Sequence, residues 1–463
     1  MARFDVTLRR DLIRAFEGGL KRRPVFGYWS ELEASQWWDT ERLEALRLGR
    51  LRALVAHAAA TVPWYRDRWA GSGLDATALT TLADLARFPV IDREVIVAHR
   101  HEMRSTAPGM KLIAKATGGS SGVPLQFDLD HDSNERRMAA WHRGYGWAGA
   151  GPGTRQWYLW GVPPDTTAGW RKQKVRLYDR LYRRTTMSCF ELGEATLPRF
   201  VASLAATRPD AIVAYTGALY AFARLLEARD IVPYQPGSLV VGAEALHDFQ
   251  REMIERVFRA PVFETYGSRE FMLIGAECPE HAGLHLTSEH HVVEIVDATG
   301  QPVAEGIEGD VVITDLTNLG MPFIRYRNGD RGVMAAGQCA CGRGLPRLAR
   351  VTGRRLDVLT TPDGQRLPGE FFPHIMKEFA SVQRFQVIQE VADEVIVRIV
   401  APAWSAEDGA RLAREVGAVA GGRLRVRVET VDVIPLTGAG KLKVVVNRLA
   451  ERAGRADAAA GAT

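Results

Sequence analysis

The chain has 463 residues, 46% of them hydrophobic and 25% charged, which is globular material with enough apolar side chains for two or more domains and a large core. Its formal charge of +5, from 60 basic against 55 acidic residues, gives nucleic-acid binding no support, so no nucleic-acid partner is expected. Four cysteines are too few for a disulfide scaffold and point to metal binding or burial in a reducing compartment.

In chain order, Met1-Ala2-Arg3-Phe4-Asp5-Val6 lacks the apolar core of a signal peptide. No uncharged run approaches the roughly 20 residues of a membrane span, which predicts a cytoplasmic protein with no membrane partner. Residues from about 8 to 105 carry Leu, Ala and Arg at helical spacing, as in Leu48, Leu51, Leu54, Val55 and Ala58, and the pattern stops at Val62-Pro63. Residues 1–105 are therefore expected to be mainly helical. Beyond a glycine-rich segment the chain changes to short apolar strands at 157–160, 211–215, 239–242 and 262–265, with helices at 197–206 and 218–228 between them. That alternation predicts a layered α/β domain. The basic run Arg171, Lys172, Lys174, Arg176, Arg180, Arg183 and Arg184, interrupted by Leu177, Tyr178, Leu181 and Tyr182, reads as a solvated amphipathic helix; a site for a phosphorylated cofactor is the alternative. From His291 onward, 292–296 and 311–314 alternate as strands of a smaller sheet. Past Asp357, strands at 385–388, 395–400 and 424–431 surround a helix at 406–419, a compact α+β unit, and the Ala- and Gly-rich 451–463 reads as a flexible tail.

Several segments carry chemistry. Thr117-Gly118-Gly119-Ser120-Ser121-Gly122-Val123-Pro124 combines small residues with hydroxyls, so that backbone N–H groups can turn toward a phosphate. Its glycines and Ser120 also fit a G-x-S-x-G nucleophile elbow, which makes a serine hydrolase the rival, although Pro124 stands where an elbow enters its helix. A plain turn is the bland alternative. Glu264-Thr265-Tyr266-Gly267-Ser268-Arg269-Glu270 lies at the end of a strand and offers a carboxylate for Mg²⁺ beside phosphates and an aromatic ring for a base, with a surface turn as the alternative. In Arg325-Tyr326-Arg327-Asn328-Gly329-Asp330 an aspartate at a turn can accept both hydroxyls of a ribose, with a salt-bridged turn as the alternative. Gly353-Arg354-Arg355-Leu356-Asp357 lies where the composition changes and suits a hinge. Pro435-Leu436-Thr437-Gly438-Ala439-Gly440-Lys441 presents a cation on a loop, and it is no Walker loop, because Leu442 stands where a Mg²⁺-binding Ser or Thr belongs.

The order of these motifs resembles the adenylate-forming superfamily of acyl- and aryl-CoA ligases, peptide-synthetase adenylation domains and luciferases. Within it, Glu270-Phe271, the segment from Glu277-Cys278 to Leu284-His285, and Cys339-Ala340-Cys341-Gly342-Arg343-Gly344-Leu345-Pro346 resemble the phenylacetate–CoA ligase family, including its capsule-biosynthesis-like branch. The likeness runs from about Leu48 to about Val446. It implies an α/β fold, with a large layered N-terminal domain (1–105 helical, 106–356 the adenylate-forming core) and a small mobile α+β C-terminal lid at 357–450. It also implies roles. Thr117, Gly118, Gly119, Ser120, Ser121 and Gly122 would cradle the β- and γ-phosphates of ATP; Gly242, Ala243, Glu244, Tyr266 and Gly267 would border the adenine. Glu270 would hold Mg²⁺, Asp330 the ribose, and Arg354 would approach the nucleotide. Asp357 would be the hinge and Lys441 would support adenylation. This chain departs from many superfamily members in lacking a lysine just after the glycine loop, where Val123-Pro124-Leu125 stands, and Lys115 is the candidate to supply that charge.

Cys339 and Cys341 supply two close thiols, Cys278 a third, and a histidine completes a tetrahedral set suited to structural Zn²⁺; the resemblance selects His285 over His281. Buried free thiols are the alternative. Cys189, beside Phe190, reads as core. The implied reaction joins a small-molecule carboxylic acid to coenzyme A through an acyl adenylate, with an amine acceptor as the alternative. Trp157, Tyr158, Trp160, Gly161, Tyr215, Gly217 and Tyr220 would suit an aromatic acid, and core packing explains them equally well. A non-catalytic nucleotide-binding protein is a further reading. A homodimer is compatible with the composition.

Overall fold

A computed structural model of the chain describes residues 2–117, 125–161, 170–354, 358–363, 366–368, 371–376, 378–379, 381–419, 422–436 and 442–449. The N-terminal part is helical, as its spacing predicts: α1 (Ala2–Arg14), a π-helical continuation (Ala15–Leu20), α2 (Val25–Ser35), α3 (Thr40–Thr61), α4 (Pro63–Trp69) and α5 (Arg93–His99). Asp39 caps α3 by accepting the Arg42 N–H at 2.8 Å, and α3 ends at Val62 because Pro63 opens the next helix. Leu51, Leu54, Val55 and Ala58 share the buried face of α3. A hairpin of β1 (Leu112–Ala116) and β2 (Gln126–Asp130) then carries the glycine-rich loop between its strands, and Asp130 caps α6 (His131–Trp147).

Next come β3 (Gln156–Trp160), α7 (Trp170–Leu181), β4 (Arg184–Ser188), α8 (Leu197–Thr207), β5 (Ala211–Tyr215), α9 (Thr216–Glu227), β6 (Ser238–Gly242), α10 (Asp248–Phe258) and β7 (Val262–Ser268). The helical reading of the basic run holds in α7, whose Leu177 is exposed while Tyr182, just beyond it, is buried. Strands β4, β3, β5, β6 and β7 lie side by side in parallel. Every residue of β5 and β6 is buried, as expected of strands covered on both faces.

Antiparallel strands follow: β8 (Met272–Glu277), β9 (Leu284–Leu286), β10 (His291–Val296), β11 (Glu308–Asp315), β12 (Tyr326–Met334) and β13 (Arg347–Arg354). They do not form the separate smaller sheet that alternation alone suggests. All join one eleven-stranded sheet in the order β10-β11-β12-β13-β9-β8-β7-β6-β5-β3-β4, because β7 pairs in parallel with β6 on one edge and antiparallel with β8 on the other. Local patterning reports strands, whereas the pairing of a shared central strand is a long-range fact. The segment around Asp330, expected as a turn, is likewise the middle of β12.

The remaining elements are the hairpin β14 (Val358–Thr360) and β15 (Arg366–Pro368), α11 (Phe371–Met376), β16 (Arg384–Val391), β17 (Glu394–Val400), α12 (Ala406–Val419), β18 (Arg425–Thr430) and β19 (Val445–Asn447). Four of them form a sheet ordered β18-β17-β16-β19, with its own core around Val387, Val397, Ile399 and Leu412. Among the described residues no helix is long and apolar enough to cross a membrane.

Arg325 ties the helical part to the antiparallel strands. It is only 2% exposed, with φ at +52°, and its guanidinium donates to Glu294 Oε2 (3.1 Å) and to the carbonyls of Ala86, Phe88 and Gly300 (3.1, 2.7 and 2.6 Å). Burial already pushes the Glu294 carboxyl up against Arg325's opposing pull. Arg325→Ala, which strands that carboxylate and three carbonyls, should lower stability to urea by about 3–5 kcal/mol; a change within 1 kcal/mol, by the error expected of such transitions, would show that the site relaxes or hydrates freely.

Candidate active site

The C-terminal ends of parallel strands are where open α/β sheets bind ligands. Strand β6 ends there in Gly242, whose position admits no side chain: a Cβ would lie 2.4 Å from Thr265 Oγ1 on neighbouring β7. Ala243 follows with φ at +69°, a left-handed conformation that turns the chain sharply. Glu244 then points back at α9, its Oε2 accepting the Gly217 N–H at 2.7 Å and its carbonyl accepting from Thr216 Oγ1 at 3.1 Å.

One strand over, Tyr266 donates its phenolic hydrogen to Asp330 Oδ2 at 2.8 Å. Asn328 Nδ2 donates to the same two oxygens, at 2.6 Å to Tyr266 and 2.9 Å to Asp330. Tyr266 and Asp330, expected to border adenine and ribose, are thus brought together from β7 and β12. The backbone of Arg354 pairs with that of Asp330 across β12 and β13. Asn328 was not singled out in the sequence, yet its spacing of two residues from Asp330 puts both on one face of a strand, a signal that reading the segment as a turn conceals.

Glu270 lies in the turn between β7 and β8 and is buried. Electrostatically it faces Arg137 of α6, a fully buried guanidinium that also sits against Asp315 and Asp130. Arg137 Nη2 donates to Asp315, while its Nε and Nη1 have no hydrogen-bond partner among the described residues. Nothing local in the sequence marks Arg137, since Asp315, which accepts its hydrogen bond, and Glu270 lie far along the chain. Lys115 is on β1, and partial burial followed by the like charges of Arg137 and Arg269 holds its ammonium below the ordinary lysine value. Arg137, Arg269 and Lys115 therefore form a group of cations close to the glycine-rich hairpin, with Glu270 facing Arg137. Thr117 closes the base of that hairpin: its N–H donates to the Leu125 carbonyl and its Oγ1 accepts the Leu125 N–H, both at 2.9 Å. Gly118, Gly119, Ser120, Ser121, Gly122, Asp357 and Lys441 lie outside the described residues, as does the side chain of Arg354.

The aromatic residues considered for an acid pocket divide between the two faces of the sheet. Trp157 is fully buried between Phe200 and Phe222 and is core. Trp160 and Tyr215 approach to 4.1 Å between ring centroids near the strand ends, and Tyr220 packs on Phe249. Cys189 is buried in the same core as Trp157.

Cys278, His285, Cys339 and Cys341 converge with all four ligand atoms within 4.8 Å of one another. The Cys278 and Cys339 sulfurs are 3.8 Å apart and Cys341 Sγ lies 3.3 Å from His285 Nε2. Tetrahedral Zn²⁺ with ordinary bond lengths requires sulfurs about 3.8 Å apart, so the donor set and its spacing fit that ion. Burial pushes the His285 imidazole down to about 4, which leaves it neutral and able to ligate at neutral pH. Burial raises the Cys278 thiol to about 12, whereas at Cys341 the Arg343 backbone and side chain outweigh burial and hold the thiol below its ordinary value. His281, the rejected histidine, instead lies 3.2 Å from Glu277 and packs on Phe263.

Residues 359–448 match the CapK C-terminal domain family. The chain is 27% identical to a phenylacetate–coenzyme A ligase of Thermus thermophilus, over 72% of this chain and 74% of that protein. It is 22% identical to the CapK protein of Staphylococcus aureus, over 80% and 81% of the two chains. Its fold superposes on a 2-hydroxyisobutyryl-CoA ligase in the postadenylation state with a TM-score of 0.70 at 21% identity, covering 91% of this chain and 93% of that one. Against the same ligase in its thioesterification state, with 91% and 94% covered at 19% identity, the TM-score is 0.57. The chain is thus a relative of the phenylacetate–CoA ligases and of CapK, built on the fold of the adenylate-forming ligases.

Proposed function

We propose that this chain is an AMP-forming carboxylic acid ligase that makes an acyl or aryl adenylate and passes the acyl group to coenzyme A in the cytoplasm. The observation that carries the reading is the bonded set Tyr266–Asn328–Asp330 beside the Gly242–Glu244 turn, at the ends of the parallel strands, in a chain similar to phenylacetate–CoA ligases over most of its length. In the first step the substrate carboxylate attacks the α-phosphorus of ATP and pyrophosphate leaves. In the second, the coenzyme A thiol attacks the acyl carbonyl, loses its proton, and AMP departs. Protein groups position the reactants in line and neutralise charge rather than form covalent bonds.

Asp330, oriented by Tyr266 and Asn328, accepts the ribose hydroxyls, and the Gly242–Glu244 turn borders the base. Thr117 and the loop after it hold the outer phosphates, with Lys115 replacing the absent trailing lysine. Glu270 would hold Mg²⁺, which usually binds through one or two carboxylates plus substrate phosphates and would offset their charge. Lys441 supports the transition state of adenylation, Arg354 approaches the nucleotide, and Asp357 is the hinge between the two half-reactions. The paired rings of Trp160 and Tyr215 favour an aromatic acid. An amine in place of coenzyme A is the second reading, supported by the likeness of the fold to the amide bond synthetase McbA of Marinactinospora thermotolerans (TM-score 0.50 at 18% identity).

Acid-dependent exchange of labelled pyrophosphate into ATP should be positive for at least one aromatic acid in a broad panel with Mg²⁺ present. Silence of folded protein across the panel would sink the ligase reading. Lys441→Ala should slow that exchange on the order of 10²-fold or more, the scale of losing one transition-state charge partner; near-normal exchange would remove Lys441 from the chemistry. Coenzyme A and a set of amines, added to the productive acid, identify the acceptor by the thioester or amide formed.

The four-ligand cluster is assigned a structural zinc, since protein groups fill all four positions. Metal analysis of purified protein should return about one zinc per chain, and Cys341→Ser should lower both zinc content and melting temperature. Well under one zinc per wild-type chain would overturn the assignment.

A further inference from the structure

Glu244 does more than border a nucleotide pocket. While its Oε2 accepts the Gly217 N–H at 2.7 Å, its Oε1 accepts the backbone N–H of Leu442 at 3.3 Å. Leu442 is the residue after Lys441. One carboxylate therefore joins the end of β6, the N-terminus of α9 and the segment that leads from Lys441 into β19. Two other contacts hold the same surfaces together. Arg224 of α9 donates to the Val382 carbonyl, and Leu436 packs against the core formed by β5, β6, α8 and α9.

The carboxylate is fixed from the large-domain side. Thr216 holds the Glu244 carbonyl at 3.1 Å, Ala243 commits the turn to φ +69°, and a Cβ on Gly217 would stand only 2.7 Å from Oε2. What Glu244 presents to the C-terminal segment is one immobilised carboxylate acceptor: its bond from Gly217 at 2.7 Å has the length of a charge-assisted bond, while that from Leu442 at 3.3 Å is longer and the more readily broken of the two. The arrangement in which this bond exists superposes better on the postadenylation state of 2-hydroxyisobutyryl-CoA ligase (TM-score 0.70) than on its thioesterification state (0.57), at the same 91% coverage of this chain.

Building on the ligase reading above, we propose that Glu244 is a positioning latch: its carboxylate seats Leu442, the residue after the lysine proposed for adenylation, in the arrangement for the first half-reaction, and lets go when the C-terminal unit turns for acyl transfer. A bond made in only one of two arrangements biases the equilibrium toward that arrangement by its own free energy. The latch thus raises the first half-reaction and does not serve the second.

The test uses the full chain and separates the half-reactions. Glu244→Gln replaces one of two acceptor oxygens by a donor, and Leu442→Pro removes the N–H while leaving Glu244 whole. Each should slow pyrophosphate exchange by roughly tenfold or more, the scale of a hydrogen bond to a charged group. For Leu442→Pro, thioester formation from coenzyme A and separately synthesised acyl adenylate should stay within about twofold of wild type, the spread expected of a change that touches only one step; Glu244→Gln, at a residue that also borders the base, should lose more in exchange than in thioester formation. Leu442→Ala, which keeps the N–H, should behave as wild type in both. Energy transfer between dyes placed through non-natural residues at exposed Val232 and exposed Glu407 should shift from a docked to a spread distribution in Glu244→Gln and Leu442→Pro. Equal losses in both half-reactions with unchanged energy transfer would assign Glu244 to nucleotide binding alone and overturn the latch. Unchanged exchange in both variants would overturn it too. If wild-type protein exchanges no pyrophosphate with any acid, the ligase reading fails, and the latch stands or falls on the energy-transfer shift.

Discussion

Strand β7 is the element on which the rest of the molecule depends, because it is paired in parallel on one edge and antiparallel on the other. The change of direction is possible where Gly267 stands. A Cβ there would lie 1.9 Å from the Met272 carbonyl oxygen, so only glycine lets β8 fold back this tightly, and the register slips between Tyr266 and Gly267 as it does so. Met272 itself turns with φ at +64°. The reversal leaves Tyr266 on the last regular stretch and Glu270 in the turn beyond, so one bend places two candidate site residues at the ends of the parallel strands. It also allows β12 to lie close enough for Asp330 and Asn328 to reach the Tyr266 hydroxyl.

Buried ion pairs fasten the helical N-terminal part to this sheet. Arg143 of α6 donates to both oxygens of Glu289, at 2.6 and 3.0 Å, and Ser35 of α2 donates to the same carboxylate at 2.6 Å. Such groups are costly to bury and tolerable only when their bonds are complete, which makes them specifiers of geometry more than sources of stability. The thiol and imidazole cluster adjoins a second brace of this kind. Gln36, just beyond α2, accepts from the Trp147 indole and the Arg343 guanidinium, each at 2.9 Å, and Gly344 donates its N–H to the Gln36 carbonyl at 3.0 Å. A cation in the cluster would stiffen the loop through Cys339 and Cys341 and, through Arg343 and Gly344, the end of α2.

The two halves of the candidate site differ in how they are built. On the large sheet, positions are set by close packing at Gly242 and Gly267 and by the left-handed turn at Ala243, which hold polar atoms without rearrangement. The C-terminal unit has its own core around Val387, Val397 and Leu412 and, among the described residues, meets the large sheet at Glu244, Arg224 and Leu436.

Periodicity in the sequence determined the elements. The 3.6-residue spacing of Leu51, Leu54, Val55 and Ala58 gave α3, the fully apolar run 211–215 gave β5, and the helix at 406–419 came out with its bounds unchanged. Motif order determined the kinship, and the close thiols of Cys339 and Cys341 with Cys278, completed by the His285 that the resemblance selects, gave a ligand set whose atoms do converge. These are local or compositional facts. Which strands share a sheet, that 326–334 is a strand rather than a turn, that Asn328 joins Tyr266 and Asp330, that Arg137 is buried among carboxylates, and that Glu244 meets Leu442 were decided only by tertiary structure. Each depends on groups tens to hundreds of residues apart, whose meeting is set by pairing and packing that no local pattern encodes.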